Sequence, residues 1–519
     1  MSTSGKMRIK RRAKSIPETA QMQLLEPGPV VSKPDREVDY DDDFINPSPQ
    51  RLFFGDQRLR DYLIDCGLEW VIRLRELLEE SDFSEFKAGY RSTGRKAIHP
   101  VVVLGLIIYG IIEGKSSLRQ LESLASRDLG AMWLCGGLRP DHSTIGKFIN
   151  RFSGVLTEKY FIELTRMLLS KLSMQSGDVA GDGTIIEAAS SRYKLIKLEA
   201  AREAAERAQS AAQKAKEVAQ IAEERAAKIK NIGRDPGKMK LSPVEPEAVN
   251  QKMKNGSRRP SYKPSVFANE FRMIVGQSVE PSDENASVGP MLDQYEAIHG
   301  SKPSCAMFDG GYHNYTVLRL ALELELNVLC PSGCADGGEW DKRSTKGRYG
   351  KKQFRYDEQR DIYICPEGRE LYRYGSVLKK RGQNCVCYRC KECDQCKRRA
   401  ECTTDKKGRS ISRFEVDAMK EAMVMVFENV RARKAYSRRK AMVEPVFSRL
   451  RTDQNLNRFH RYGLGKVRVE FSLHCIAYNL KRAIRLEAVG VFCLIFMRNR
   501  GEIRLVKMAE WLVIVLVRN

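Results

Sequence analysis

Two short apolar runs, each ending in an aspartate beside glycines, limit what this chain can fold into more than any other feature. The first, residues 177–187, carries Asp182 between Gly181 and Gly183. Its β-prone composition predicts a strand, and the flanking glycines predict close approach by a large substrate backbone, which a bulky neighbour would block. The second, residues 306–312, is apolar up to Asp309 and then turns through Gly310 and Gly311 toward a helix-like stretch from Tyr315 to Leu326. α/β folds place functional residues at such strand-then-loop positions.

A third acid has a different setting. Val443, Val446, Phe447 and Leu450 recur at three- and four-residue spacing, the pattern of a buried helical stripe. Glu444 sits at its edge. At 100° per residue, Lys440 and Arg451 fall near the angular position of Glu444, so one face carries a carboxylate between two cations. A surface ion-pair ladder would look the same. Pro445 removes a donor from a helix interior, which suits it to the first turn instead.

Charge says what three such carboxylates could do. In-line attack on a phosphodiester is stabilised by two divalent cations about 4 Å apart, and hard Mg²⁺ is held by a few carboxylates with water and substrate oxygens. Each aspartate alone reads equally well as a cap or turn residue.

In these motifs the sequence resembles the bacterial insertion-sequence transposases with a DDE triad on an RNase H-like fold. Asp182 matches the aspartate of their first motif, Asp309 that of the second, and Glu444 the glutamate of the third, with Tyr436, Arg439 and Arg451 at accompanying positions. Residues 98–152 resemble the helical N-terminal domain of those enzymes. Residues 458–482, with His474 and Asn479, resemble the segment after their glutamate helix. The resemblance spans roughly residues 50 to 487. It implies an α/β chain whose mixed, RNase H-like sheet is flanked by helices, with Asp182, Asp309 and Glu444 as catalytic ligands of two Mg²⁺ or Mn²⁺ ions. It also implies Tyr436, Arg439, Lys440 and Arg451 as DNA contacts. Two departures stand out. Arg451 replaces the usual lysine, exchanging a point charge for a planar fork, and one extra residue between Arg439 and Glu444 lets Lys440 take the place of Arg439 beside the glutamate.

A chain of 519 residues accommodates two or three domains, and its formal charge of +24 points to a polyanionic partner. Charge alone leaves DNA, RNA and an anionic membrane open. The apolar runs 101–112 and 505–517 are too short or too interrupted to span a bilayer. The basic start, residues 1–17, lacks the apolar core of a signal peptide. These features give the expectation of a cytoplasmic protein not associated with a membrane, and the resemblance implies a bacterial one associated with the nucleoid.

Along the chain, residues 1–48 read as a flexible arm, 49–172 as a helical DNA-binding domain with Ser116 and Ser143 as N-caps, and 173–489 as the catalytic domain. Two insertions interrupt the last: 195–235, one long helix or a hairpin, and 331–415, rich in Gly, Lys, Arg and Cys. Residues 490–519 form an apolar tail. Fourteen cysteines, clustered and without a secretion signal, argue for reduced thiols and a metal. In the resembling family Cys365, Cys393, Cys396 and Cys402 match the ligand positions, with Cys390 as a substitute. Structural Zn²⁺, an iron–sulfur cluster and unligated thiols all remain open at this point.

The leading expectation is a DNA transposase that binds inverted-repeat ends and target DNA as a homodimer and performs metal-dependent cleavage and strand transfer. The alternatives are an inactive DNA-binding descendant of such an enzyme and an RNase H-like repair or junction nuclease.

Overall fold

The computed structural model describes Tyr40 and residues 42–91, 94–175, 177–207, 213–231, 235–331, 349–380 and 383–499. Most of the expected arm, the tail beyond Asn499 and the front of the cysteine-rich insertion lie outside the described residues.

The apolar run near residue 100 forms α1 (Pro100–Ile112), with proline at the first turn and His99 Nδ1 accepting the Val101 N–H at 3.2 Å. Every residue of α1 is buried, as expected of a helix that is apolar all round. Around it lie α2 (Leu118–Arg127), α3 (His142–Arg151) and α4 (Tyr160–Lys171). The N-caps fall one and two residues from those expected. Ser117 caps α2 in a box with Gln120, and Asp141 Oδ1 caps α3 by accepting the Thr144 N–H at 2.6 Å.

The central sheet begins with β1 (Val179–Gly183). The first insertion is a hairpin of α5 (Leu198–Arg207) and α6 (Gln213–Asn231), closed by its own small core of Leu198, Ala201, Val218, Ala222 and Ala226. The chain returns through β2 (Arg258–Asn269) and β3 (Ile274–Glu280), both antiparallel to their neighbours. After α7 (Val288–His299) come β4 (Ala306–Met307), α8 (Tyr315–Glu323) and β5 (Val328–Leu329). β4 lies parallel to β1, and β5 parallel to β4, so the order across the sheet is β3-β2-β1-β4-β5. Gly181 is needed inside this sheet, because a Cβ there would stand 2.5 Å from the Phe308 ring. Its small size serves core packing rather than the substrate approach expected from the sequence.

A second, antiparallel sheet follows in simple chain order: β6 (Arg355–Asp357), β7 (Ile362–Ile364), β8 (Glu370–Lys380), β9 (Gln383–Arg389) and β10 (Ser410–Phe414). Tyr363, Leu371, Tyr388, Cys390, Cys393 and Ile411 belong to its separate core. Helices α9 (Glu415–Glu428), α10 (Val430–Ser437), α11 (Arg439–Thr452) and α12 (Leu464–Asn499) complete the described chain. Pro445 lies well inside α11, not in its first turn.

Helix α11 packs on β1 and β2, while α12 joins α1 and α4 to β3. Asn479 makes that join specific. Its Nδ2 donates to Ile274 O and its Oδ1 accepts the Ile274 N–H, both at 2.8 Å, which satisfies backbone groups at the sheet edge. His474 is buried one turn earlier and shares a 2.8 Å hydrogen bond with Gln454. Among the described residues no helix is long and apolar enough to cross a membrane.

Candidate active site

Parallel pairing of β1 and β4 brings Asp182 and Asp309 to the same end of the sheet. Asp182 is held in place by the Gly183 N–H, which donates to its Oδ1 at 2.9 Å. Asp309 is the N-cap of a short turn, with the Gly311 N–H donating to its Oδ1 at 2.8 Å. The Cys330 thiol, just after β5, donates to Asp309 O at 3.0 Å.

A third carboxylate found here has no local signal in the chain. Glu284 lies in the turn between β3 and α7, with no apolar run ending on it and no helical stripe beside it. A side chain begun at Gly183 would meet Glu284 Oε2 at 3.1 Å, and one begun at Gly311 would meet Asp309 Oδ1 at 3.0 Å and Glu284 Oε1 at 3.4 Å. The glycines next to the two aspartates thus leave room for another acid. Lys263 Nζ pairs with Glu284 at 3.1 Å.

Electrostatics follow from this crowding. Burial pushes the Asp182 carboxyl up to about 6; Arg439 and the Gly183 N–H pull it down, and Asp309 and Glu284 push it up. Tyr312 is buried within reach of the three acids, and its phenol is driven upward first by burial and then by Glu284 and Asp182.

Arg439 is the cation that α11 commits to this site. It is buried, donates from Nη2 to Gly181 O at 3.2 Å and approaches Asp182 Oδ1 at 3.3 Å. Lys440 is exposed, one turn before Glu444 on the same helix. Tyr436 is half-buried edge-on to Phe427, within the fields of Arg439, Asp309 and Asp182. Arg451 reaches the loop after β1, donating from Nη2 to Thr184 Oγ1 at 2.6 Å and to Ile185 O at 2.9 Å. Glu444 is exposed on α11, between Arg439 and Arg451 along the helix. The charges that act most on Asp182 are those of Arg439, Asp309 and Glu284. Beside the acids runs a groove of about 300 Å³ lined by Thr184, Ile185, Lys252, Lys254, Lys263 and Glu284.

An all-oxygen, like-charged, partly buried donor set suits hard divalent cations such as Mg²⁺ or Mn²⁺. Among the described residues no three His, Cys, Asp or Glu side chains are arranged so that they could hold a metal ion. Binding there requires the carboxylates to draw together.

A separate cluster lies in the second sheet. Cys365, Cys390, Cys393, Cys396 and Cys402 line a cavity of about 20 Å³, room for one water-sized sphere. The Arg369 N–H donates to Cys365 Sγ and the Arg409 N–H to Cys393 Sγ, each at 3.2 Å. Burial pushes the Cys390 thiol up to about 11, and Cys393 and Cys365 add to the rise.

No curated protein matches this chain. The family model described as Transposase DDE domain matches residues 364–484, a span that holds Glu444, the cysteine cluster and Asn479 but neither aspartate. A second model, described as Transposase domain, matches residues 68–151, the segment that contains α1 to α3. Transposase family models thus match on both sides of the two-aspartate sheet, which supports an insertion-sequence DDE transposase.

Proposed function

We propose that this chain is a transposase that binds the inverted-repeat ends of its element and cuts and joins DNA through the carboxylates at the end of the central sheet. One observation carries the reading: Asp182 and Asp309 stand at the ends of adjacent parallel strands, with α11, the helix that carries Glu444, packed on the first of them. The strand order and directions support an RNase H-like sheet. Asp182, Asp309 and Glu444 would hold the ions, with Glu284 beside them. Two Mg²⁺ or Mn²⁺ ions bound there would supply Lewis-acid stabilisation of the attacking and leaving oxygens. Arg439 fixes Asp182 in place, and Lys252, Lys254 and Lys263 offer charge to the backbone of the cut strand. Tyr436 and Lys440 are free to meet DNA beside the cut. Arg451, already bonded to Thr184 and Ile185, orders the loop after β1 instead of waiting for phosphate.

In this reading residues 49–172 recognise the ends, 173–489 form the catalytic region, two chains assemble on DNA, and the protein works in the cytoplasm on the nucleoid. The decisive experiment is cleavage of a duplex bearing the element's ends. Asp182→Asn, Asp309→Asn and Glu444→Gln should each lower the rate by at least about 10³-fold, the scale for losing a key stabilising group, while end binding changes only a few-fold. Near-normal cutting by any one of them would remove that residue from the set.

For the cysteine pocket we propose one structural Zn²⁺ on Cys365, Cys393, Cys396 and Cys402. The small cavity and the N–H groups aimed at two sulfurs support a single ion over a four-iron cluster, and here too the thiols must draw together to bind it. Elemental analysis of anaerobically purified protein should find about one zinc per chain. Brown protein with iron and labile sulfide would overturn this.

A further inference from the structure

Pro445 creates a fault in α11, since it has no N–H to offer the carbonyl of Ala441 one turn back. Arg272 repairs the fault. Its Nε donates to Ala441 O at 3.0 Å from the turn joining β2 and β3, where Arg272 holds a left-handed backbone with φ of 62°. A non-glycine residue in that region carries strain. Beside it, Arg482 of α12 donates from Nε to Phe271 O at 3.0 Å. Among the described residues neither guanidinium has another hydrogen bond or ion pair, so both forks are anchored at Nε and leave their Nη groups uncommitted.

These two forks line a pocket between α11 and α12 together with Arg449, Lys481 and Arg485. Asp453 is the one carboxylate lining it, and it is already paired with Arg449 at 3.1 Å. Lys481, Arg482 and Arg485 share a face of α12, with Lys481 and Arg485 at the i, i+4 spacing where like charges repel. Burial and Arg485 lower the Lys481 ammonium, while Asp453 and Glu113 oppose them. Such a gathering of cations, two of them set as planar forks, matches the oxygens of a phosphate group.

The pocket is not part of the carboxylate site. Asn269, at the mouth of the turn that carries Arg272, pairs with Val179 at the start of β1, whereas Ser265 pairs with Gly183 at the acid end. We infer that the pocket between α11 and α12 is a second DNA contact, holding a backbone phosphate about 10 Å or more from the reacting one. This rests on the transposase reading. A phosphate seated there would touch the helix that carries Glu444 and so fix that helix against the DNA.

Lysine acylation of the full-length protein, read by mass spectrometry with and without a metal-free duplex, tests the inference. The duplex should protect Lys481 several-fold, together with Lys252 and Lys254 in the groove by the acids. Labelling of Lys481 that DNA leaves unchanged while Lys252 and Lys254 are protected would overturn the second contact. Protection by inorganic phosphate but not by duplex would also overturn it, assigning the pocket to a free anion. If no lysine were protected, the DNA-binding reading itself would fall, and the contact with it. A second measurement uses Lys481→Gln with Arg485→Gln, neither of which anchors the fold. It should weaken duplex binding about 10-fold and flatten the salt dependence by about one, the value for one lost phosphate contact. An unchanged slope would count against the site.

Discussion

The two ends of the central sheet carry opposite electrostatic problems. At the end of β1, Asp182, Asp309 and Glu284 crowd together, opposed chiefly by Arg439 and Lys263. At the other end, Arg272, Arg449, Lys481, Arg482 and Arg485 gather around Asp453. Helix α11 borders both. Neither end is neutralised from within the fold, so the acid end calls for cations and the basic end for an anion. On the proposed function, duplex DNA with divalent metal would supply both together.

The comparison breaks first at Arg439. Arg439→Ala removes the buried cation beside Asp182 and should cost about 3 kcal/mol at neutral pH, the low end for breaking a buried pair. Below pH 6 the cost should shrink, because Asp182 then takes up a proton. Thermal unfolding across pH checks this, and a loss that is flat with pH would mean that Arg439 acts by packing alone.

The basic end has its own pH response, through His474. Burial lowers this histidine to about 4, and its Gln454 partner lines the basic pocket. A folded value below the unfolded one, near 6.5, means full stability above pH 6.5 and loss as pH falls toward 4. The total is on the order of 3 kcal/mol. His474→Gln should flatten that part of the stability profile; an unaltered acid limb would place the sensitivity elsewhere.

Glu284 offers a milder test. Glu284→Gln removes a like charge from the acid end, so the metal-free protein should gain a few tenths to about 1 kcal/mol at pH 7, while stabilisation by added Mn²⁺ falls. Unchanged stabilisation by Mn²⁺ would separate Glu284 from the ion site. Pro445→Ala should have the smallest effect. In an ordinary helix interior removing a proline returns about 3 kcal/mol, but Ala441 O already has Arg272, so less than about 1 kcal/mol is expected.

Much of this was legible in the residues themselves. Asp182 and Asp309 could be found because each ends an apolar run next to glycine, a signal local to a few residues. The buried stripe of α11 and the apolar α1 follow from spacing alone, since periodicity reports which face is covered. The sequence could also show that cysteines cluster. It could not show that Gly181 serves the Phe308 ring, that Arg439 meets Asp182, or that Ser117 and Asp141 cap their helices. Those outcomes depend on what lies across the contact. Glu284 and the basic pocket were the least visible. Glu284 joins Asp309 only when β3 and β4 flank β2 and β1, and Arg272 meets Ala441 only when the sheet folds under α11. Local sequence determined the elements and the acids that end them. Tertiary structure decided which charges would share a site, because long-range electrostatics depends on distances that chain order does not encode.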